Sequence, residues 1–255
     1  MLTIKSAAEI EKMRAAGRIV GDTLKLMRDM AQIGVTTAEL DRAAEAFIRS
    51  KGAVPSFLHY NGYPKSICTS VNAQVVHGIP GKYALKDGDI LSVDVGAELN
   101  GFHGDAARTF FVGDVAPKVR EVVKVTRECF YEGMKFARPG YRISDIGQAI
   151  QQHAESHGYG VVRELIGHGI GTHMHEPPDV PNYYDHRTGR GVRLTKGMTI
   201  AVEPMINLGG KEVFVYADGW TVETKDALPS AHYENTVVIT DDAPQLLTLM
   251  GVDDD

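Results

Sequence analysis

The chain has 255 residues, of which 33 are acidic and 27 basic, giving a net charge of −6. Nucleic acids and anionic membrane surfaces attract basic proteins, so this balance argues against either as the main partner. Two cysteines are too few for a disulfide framework, the N-terminal residues lack a signal-peptide pattern, and no apolar run approaches the ~18 residues of a membrane span. We therefore expect a cytoplasmic protein without a membrane segment.

Two helices are predicted at the start of the chain. The first carries apolar residues three and four positions apart, which places them on one face, and a capping box at Ser6 precedes it. Gly34 is a stop signal, Thr36 opens a second capping box, and Gly52 fits the position just after the second helix.

A β-hairpin is predicted after these helices. Residues 66–71 and 89–95 have the composition of strands. The second run leads to Asn100-Gly101, the strongest short signal for a two-residue hairpin turn, and the returning strand ends at Gly113.

The predicted hairpin brings two carboxylates together. If Asn100 and Gly101 are the two turn residues, the numbers of any two facing residues add up to 201. Asp94 then lies opposite Ala107, and Asp105 lies opposite Gly96. Because side chains alternate between the faces of a strand, the two carboxylates share one face on a diagonal. Such a pair repels unless a cation neutralises it, which predicts a divalent metal ion. A salt bridge from Asp94 to Arg108 is the alternative.

A second pair of helices and further strands are predicted beyond the hairpin. Antiparallel strands that follow helices indicate an α+β order. The helix boundary residues are predicted to be Pro117, Gly140, Ser144 and Gly158, and strands resume at 199–202 and 236–239.

The two helix pairs suggest an internal repeat. Three landmarks recur 106 residues later, namely Gly34 and Gly140, Leu40 and Ile146, and Gly52 and Gly158. We interpret them as a duplication within one catalytic domain, and a chance match of common helix signals is the alternative. The predicted segments are the domain at 1–255, its halves at about 1–115 and 116–250, and an acidic tail at 251–255.

Histidines cluster in a glycine-rich stretch. His168 lies within a Gly-His-Gly-Ile-Gly run, and His173 and His175 follow closely. Glycine lets the backbone approach a ligand, and imidazole is the commonest metal ligand near neutral pH. Imidazole with carboxylates and without thiolates suits Mn, Fe, Co or Zn. A solvated polar loop is the alternative.

Three further polar residues interrupt apolar runs, namely Glu203, Glu234 and His77. Each is weak on its own, because a single acid at a strand can be an ordinary edge charge. A lone histidine in an apolar run is more often a hydrogen-bonded core residue than a catalyst.

The order and contexts of these residues resemble those of the methionine aminopeptidases, in particular the short bacterial class of type I. The resemblance extends from the first helix to the strand at Glu234. It implies an α+β pita-bread fold, in which helices flank an antiparallel sheet in two pseudo-symmetric halves. The motifs that carry it are Asn61-Gly62-Tyr63-Pro64-Lys65-Ser66, Val71-Asn72, His77-Gly78-Ile79-Pro80, Val93-Asp94-Val95-Gly96, His103-Gly104-Asp105, Gly167-His168-Gly169-Ile170-Gly171, His175-Glu176-Pro177-Pro178, Val202-Glu203-Pro204 and Tyr233-Glu234-Asn235-Thr236.

The resemblance implies a site for two divalent metal ions, which could be Mn, Fe, Co or Zn. It assigns Asp94 to one ion, His168 and Glu203 to the other, and both Asp105 and Glu234 to a bridging role. Two such ions lower the pKa of a water molecule between them and stabilise the oxyanion that develops during peptide hydrolysis.

The resemblance also implies how a substrate is held. His77 is expected beside the scissile amide and His175 near the carbonyl oxygen, while Glu203 moves a proton from water to the leaving amine. The residues expected to line a methionine pocket are Tyr60, Tyr63, Cys68 and Trp220. Cys68 also fits a small buried core residue.

The implied activity is removal of the N-terminal methionine from newly made proteins and peptides, with a preference for a small second residue. Implied partners are nascent polypeptide N-termini and, transiently, the ribosome, and a monomer is expected. A monovalent cation is implied near Asn72 and Ser230. Asn61 and Met174 differ from many members of the family, which leaves the fine substrate preference open.

Two other hypotheses remain at this point. An Xaa-Pro aminopeptidase or prolidase shares the fold and the five ligands but usually carries an extra N-terminal domain. A non-catalytic binding module of the same fold would lack ligands, whereas all five are present here.

Overall fold

The structure is a computed structural model that describes residues 2–187 and 189–250. Its helices are α1 (Ala7–Met30), α2 (Thr37–Ser50), α3 (Pro117–Met134) and α4 (Ile143–Ser156), and a short 3-10 turn spans Tyr60–Gly62. None of the helices in this part of the chain is both long and apolar enough to cross a membrane. The predicted acidic tail at 251–255 lies outside the described residues.

The strands form four antiparallel sheets within the described ranges. They are β1 (Val54–Pro55), β2 (Cys68–Val71), β3 (Gln74–Val76), β4 (Ile90–Leu99), β5 (Phe102–Phe111), β6 (Gly160–Val161), β7 (Gly167–Gly169), β8 (Glu176–Val180), β9 (Thr199–Val202), β10 (Met205–Asn207), β11 (Val213–Val215), β12 (Val222–Thr224), β13 (Ser230–His232), β14 (Asn235–Val238) and β15 (Gln245–Leu246).

The two largest of these sheets adjoin each other. In the first sheet, one edge of β4 pairs with β5 along its whole length, and the other edge pairs with β1 and β2. The second has the order β15-β14-β9-β7-β8. The two sheets meet where the amide of Glu234 donates to the carbonyl of Ala107 at 3.0 Å. The smaller sheets, β13-β10-β6 and β11-β12-β3, lie outside this pair.

The predicted hairpin is confirmed residue by residue. Asn100 and Gly101 have φ angles of 53° and 79°, the left-handed pair that a two-residue turn requires. Leu99 pairs with Phe102, and the same register places Asp105 opposite Gly96. The turn therefore fixes which residues of β4 and β5 share a face.

Most predicted helix boundaries are confirmed, but α1 and α3 end at Met30 and Met134, before the predicted stops at Gly34 and Gly140, and one predicted start is wrong. Ser6 and Thr36 both form complete capping boxes at the helices they were expected to open. Ser144 does not cap α4, because the helix begins earlier, with Arg142 as its N-cap residue. The amide of Arg142 donates to the carboxylate of Asp145 at 2.8 Å, so an acid in the third position, and not a serine, provides the cap.

The two largest of the four clusters of buried apolar side chains in the described residues pack against the central sheets. One is formed by α1 and α2 with β4 and β5, and the other by α3 and α4 with strands from β6 onwards. The bounds of α2 and α4, 37–50 and 143–156, differ by the predicted offset of 106. That the halves arose by duplication stays a prediction.

The C-terminal segment packs across α1 through a stripe of small residues. A β-carbon on Gly17 would lie 2.0 Å from the carbonyl oxygen of Leu247, and one on Gly21 would lie 2.1 Å from that of Leu249. Only glycine allows so close an approach of two backbones. The segment also reaches the central sheet, because Thr248 donates to Asn235 at 3.0 Å.

We predict that Gly21→Ala destabilises the fold. In an exposed helix this change would stabilise by about 1 kcal/mol, but here the added methyl collides with Leu249, and overpacking costs about 2 kcal/mol. Urea unfolding should show the loss. Lys25→Ala, on the exposed face of the same helix, is the control and should stay within about 0.5 kcal/mol of the parent. A Gly21→Ala variant as stable as the parent would contradict the close approach.

Candidate active site

Five acid and imidazole side chains come together at the junction of the two central sheets. Asp94 lies on β4 and Asp105 on β5, as the hairpin register requires. His168 lies on β7, Glu203 directly follows β9, and Glu234 directly precedes β14. Because Val202 pairs with Asn235, the two glutamates leave their strands side by side.

The distances place these groups around one point. His168 Nε2 lies 3.6 Å from Asp105 Oδ2 and 3.7 Å from Glu203 Oε1. Asp105, His168 and Glu234 each offer one ligand atom, and these atoms lie within 4.8 Å of one another. The structure therefore forms a compact group of donors in which carboxylate oxygens outnumber nitrogens.

A cavity of about 410 Å³ opens onto this group. All eleven residues predicted for the site line it, namely Tyr60, Tyr63, Cys68, His77, Asp94, Asp105, His168, His175, Glu203, Trp220 and Glu234. Asn61 and Met174, where the sequence departs from many relatives, line it as well. Phe57 was missed, because an apolar residue in a loop carries no signal that distinguishes it from core.

The carboxyl groups of the site are held in an environment that disfavours their charge. Burial, with the charge of Asp105 second, raises the pKa values of Asp94, Glu203 and Glu234 well above their usual range. Burial also raises the pKa of Asp105, to about 7. Without a cation, these four groups could not all be ionised near neutral pH.

Several oxygens of the group also lack hydrogen-bond partners among the described residues. They are Asp94 Oδ1, Asp105 Oδ1 and Glu234 Oε1, and all three are shielded from solvent. Buried polar atoms are normally paired, so three unpaired carboxylate oxygens that converge need a partner of opposite charge. Divalent cations fit this donor set.

His168 is prepared to act as a metal ligand. Its Nδ1 lies 2.8 Å from the carbonyl oxygen of Gly169, so a proton on Nδ1 leaves the lone pair of Nε2 facing the carboxylates. Burial lowers its pKa to about 4, which keeps the imidazole neutral at pH 7. A neutral ring with a free Nε2 is the form that binds a metal ion.

Buried side chains outside the cavity hold the backbone of these residues. The Thr236 hydroxyl accepts from the Asp105 amide at 3.0 Å and donates to the Asp105 carbonyl at 2.9 Å. Asn182 donates to the Glu203 carbonyl at 2.9 Å. The sequence did not predict this role for either residue, because each acts on a strand far away along the chain.

The alternative role for Asp94, a salt bridge to Arg108, is not supported. Arg108 pairs with Val93, so it projects from the opposite face of the hairpin. Its guanidinium donates to the Glu234 carbonyl at 2.6 Å and to the Asn235 side chain at 3.0 Å. Arg108 thus fixes the segment that carries Glu234.

The rest of the cavity lining carries uncharged imidazoles and aromatic rings. Desolvation lowers the pKa values of both His77 and His175 to about 4. His175 Nδ1 lies 2.9 Å from the Tyr60 hydroxyl, and the two rings are stacked. The Trp220 ring packs edge-on against Tyr63, with 5.1 Å between centroids, and lies 6.4 Å from the His77 ring.

Cys68 and Trp220 both belong to this cavity lining. Cys68 is buried and pairs with Asp94 in the sheet, so it is both a core residue and part of the cavity lining. Trp220 is partly buried and faces the cavity, which surface packing alone would not require.

The family follows from comparison with known proteins. A model of metallopeptidase family M24 matches residues 11–241. The chain belongs to this family. It is 53% identical over 250 residues to a methionine aminopeptidase of Clostridium acetobutylicum, with 98% of this chain and 99% of that protein covered. This M24 chain is therefore a metal-dependent hydrolase with a divalent metal centre.

Solved structures confirm the predicted pita-bread fold. The crystal structure of methionine aminopeptidase from Rickettsia prowazekii superposes with a TM-score of 0.95 at 44% identity, covering 98% of this chain and all of that one. Prolidase from Pyrococcus furiosus superposes with a TM-score of 0.75 at 23% identity, and this chain covers 65% of it. The second similarity shows the shared fold alone.

The extended N-terminal segment of this M24 chain holds the segment that carries His175. Lys5 contacts Glu176 at 2.6 Å, and both side chains are buried, with 5% and 7% exposure. Burial would raise the pKa of Glu176. Hydrogen bonds from Lys5, Thr3 and the His173 amide, with the charge of Lys5, outweigh it and lower the pKa to about 2. The ion pair therefore stabilises the folded state at neutral pH.

We predict that Lys5→Met lowers the free energy of unfolding by about 3 kcal/mol at pH 7, because Glu176 would then be a buried charge without a partner. The folded pKa of Glu176 lies below its ordinary value of 4.5, so the stabilisation is complete above that value and is lost as pH falls through about 2. Urea unfolding at pH 7 and pH 3 should show the difference between parent and variant shrinking in acid.

Lys196→Met is the matched control for this prediction. Lys196 also pairs with a carboxylate, that of Asp241, but both side chains are about two-thirds exposed, at 66% and 65%. Exposed pairs contribute about 0.5 kcal/mol or less. Equal losses in the two variants would show that the Lys5 pair is no more than a surface contact.

Proposed function

We propose that this M24 chain removes the N-terminal methionine from polypeptides. The observation that carries the proposal is the cavity itself, which ends on a neutral imidazole and four converging carboxyl groups. Relatives that align over nearly the whole chain are named methionine aminopeptidases. A thioether suits the apolar, polarizable wall formed by Tyr63, Cys68 and Trp220.

The proposed ligands are the five residues at the sheet junction. Asp94 would hold one divalent ion, His168 and Glu203 the other, and Asp105 and Glu234 would bridge them. When bound, the ions supply Lewis-acid stabilisation and a water of lowered pKa. The unpaired oxygens of Asp94, Asp105 and Glu234 support this assignment. The ions would be Mn, Fe, Co or Zn.

The chain's own residues perform the proton transfers in the proposed reaction. Glu203 takes a proton from the water that attacks the methionyl carbonyl carbon, and it returns that proton to the departing amine as the C–N bond breaks. His175 lies at the cavity wall with Nδ1 facing Tyr60, so its neutral ring can donate to the carbonyl oxygen. His77 would contact the amide.

The cavity also supports the proposed substrate selection. A free N-terminal amine would enter beside the acidic residues at the inner end of the cavity. An internal peptide bond would need the chain to continue beyond that end, where the carboxyl groups are buried. A small second residue should fit best, because the rigid metal centre beside it would leave little room for a larger side chain. Nascent polypeptide N-termini are the proposed substrates, and transient ribosome contact, a monomeric state and a cytoplasmic location stay predictions. The monovalent cation site also stays a prediction, although the Ser230 amide does donate to the Asn72 carbonyl at 2.9 Å.

We predict that the metal-loaded protein cleaves Met-Ala-Ser and leaves peptides that begin Ala-Pro intact. Chelation should abolish the activity, and Asp105→Asn should reduce kcat by about a hundredfold or more, because it removes a charge shared by the two ions. Asp114→Asn is the control, since that side chain is 98% exposed. Mass spectrometry of the products over time would test both the peptide preference and the loss of activity in Asp105→Asn. An intact Met-Ala-Ser would refute the proposed function, and cleavage of Ala-Pro ends alone would favour a prolidase-like activity.

We predict that His175→Ala lowers kcat by about 10²–10³-fold, because a donor to the developing oxyanion is lost. Metal content per chain should not change, since His175 is not a proposed ligand. His173→Ala is the matched control two residues away, and its side chain is 80% exposed. Steady-state kinetics together with metal analysis distinguishes a role in stabilising the oxyanion from a role in binding metal. A fall in bound metal in His175→Ala would contradict the assignment.

A further inference from the structure

A second group of potential metal ligands lies outside the active site, on the surface formed by α3 and α4. It consists of Glu128 on α3 with His153 near the end of α4 and His157 directly after it. Each residue offers one ligand atom, and the three atoms lie within 4.8 Å of one another. None of the three lines the active-site cavity.

The geometry of the three residues is already close to that of a chelate. His153 Nε2 lies 3.1 Å from Glu128 Oε2, so the carboxylate and the first imidazole are in contact. His153 and His157 are four positions apart, which places them on one face of the helix, and their ring centroids are 4.7 Å apart. Small side-chain rotations would bring all three donors to metal-binding distance.

Hydrogen bonding orients the second imidazole. His157 Nδ1 lies 2.9 Å from the His153 carbonyl oxygen, at the end of the helix. A proton on Nδ1 leaves Nε2 as the lone-pair donor, and metal-binding histidines commonly use their other nitrogen in this way. The Tyr159 ring is nearly parallel to the His157 ring, with 6.3 Å between centroids.

The charge of the group also favours a cation. Partial burial tends to raise the pKa of Glu128, but its hydrogen bond to His153 and the charge of Lys124 outweigh this and lower the pKa. Glu128 is therefore ionised near neutral pH. Lys124 lies 3.6 Å from Oε1, which leaves Oε2 to face the imidazoles. Two imidazoles and one carboxylate suit zinc and its neighbours better than calcium or magnesium.

We propose that Glu128, His153 and His157 bind one divalent transition-metal ion, with zinc as the reference ion. Three protein ligands leave a fourth position for water, so the site is open to solvent. Because the ligands come from two helices, the bound ion joins α3 to α4 and stabilises the second half of the molecule. The site is separate from the catalytic ions and is not required for the reaction.

The test compares the parent, His157→Ala and His186→Ala. His186 is an exposed histidine in a loop, so its variant controls for the loss of one surface imidazole. After equilibration with micromolar zinc and gel filtration, metal analysis should find one more zinc per chain in the parent and His186→Ala than in His157→Ala. Zinc should also raise the thermal unfolding midpoint less in His157→Ala. Hydrolysis of Met-Ala-Ser should be the same in all three.

A second variant protects the test against an effect on folding. Glu128→Gln keeps the shape of the side chain and removes its charge, and it should weaken zinc binding in isothermal titration by about tenfold or more. Equal zinc content and equal midpoint shifts in the parent and His157→Ala would overturn the proposal. Zinc binding that appears only at millimolar concentration would overturn it as well, because the group would then be an adventitious surface cluster.

Discussion

The structure depends on the placement of negative charge where solvent cannot neutralise it. Asp105 and Glu234 are buried, Asp94 and Glu203 nearly so, and burial pushes the pKa values of all four upwards. Such a group is tolerable only with a cation or with bound protons. The neutral imidazoles and the unpaired oxygens of the site follow from the same condition. A divalent ion bound there would therefore stabilise the folded arrangement of the central sheets.

The site lies at the junction between two separately packed regions. One apolar cluster supports the hairpin of β4 and β5, and the other supports the sheet that carries β7, β9 and β14. Each region contributes some of the proposed metal ligands, and neither region holds the full set. Thr236, which bonds twice to the backbone of Asp105, and Arg108, which bonds to the Glu234 carbonyl, cross the junction and fix its geometry.

Most of what the sequence alone predicted depends on neighbours along the chain. A two-residue turn at Asn100 set the register that brings Asp94 near Asp105, and capping boxes marked the first two helices. Glu203 and Glu234 were ambiguous, because their approach depends on pairing between distant strands, and the family resemblance was needed to include them. The cap of α4 was misplaced because an arginine in an extended conformation, served by an acid three residues later, resembles no common N-cap signal.

The C-terminal segment has a consequence for the order in which the active site can be completed. Thr248 donates to Asn235 and accepts from the Thr236 amide, next to Glu234 and to the bonds that hold Asp105. Leu247 and Leu249 lie against the glycines of α1, so this late segment closes a gap between the first helix and the central sheet. Synthesis proceeds from the N-terminus, and these contacts form last. The site of a molecule still being made therefore stays incomplete until residues 247–249 have been added and have packed against α1.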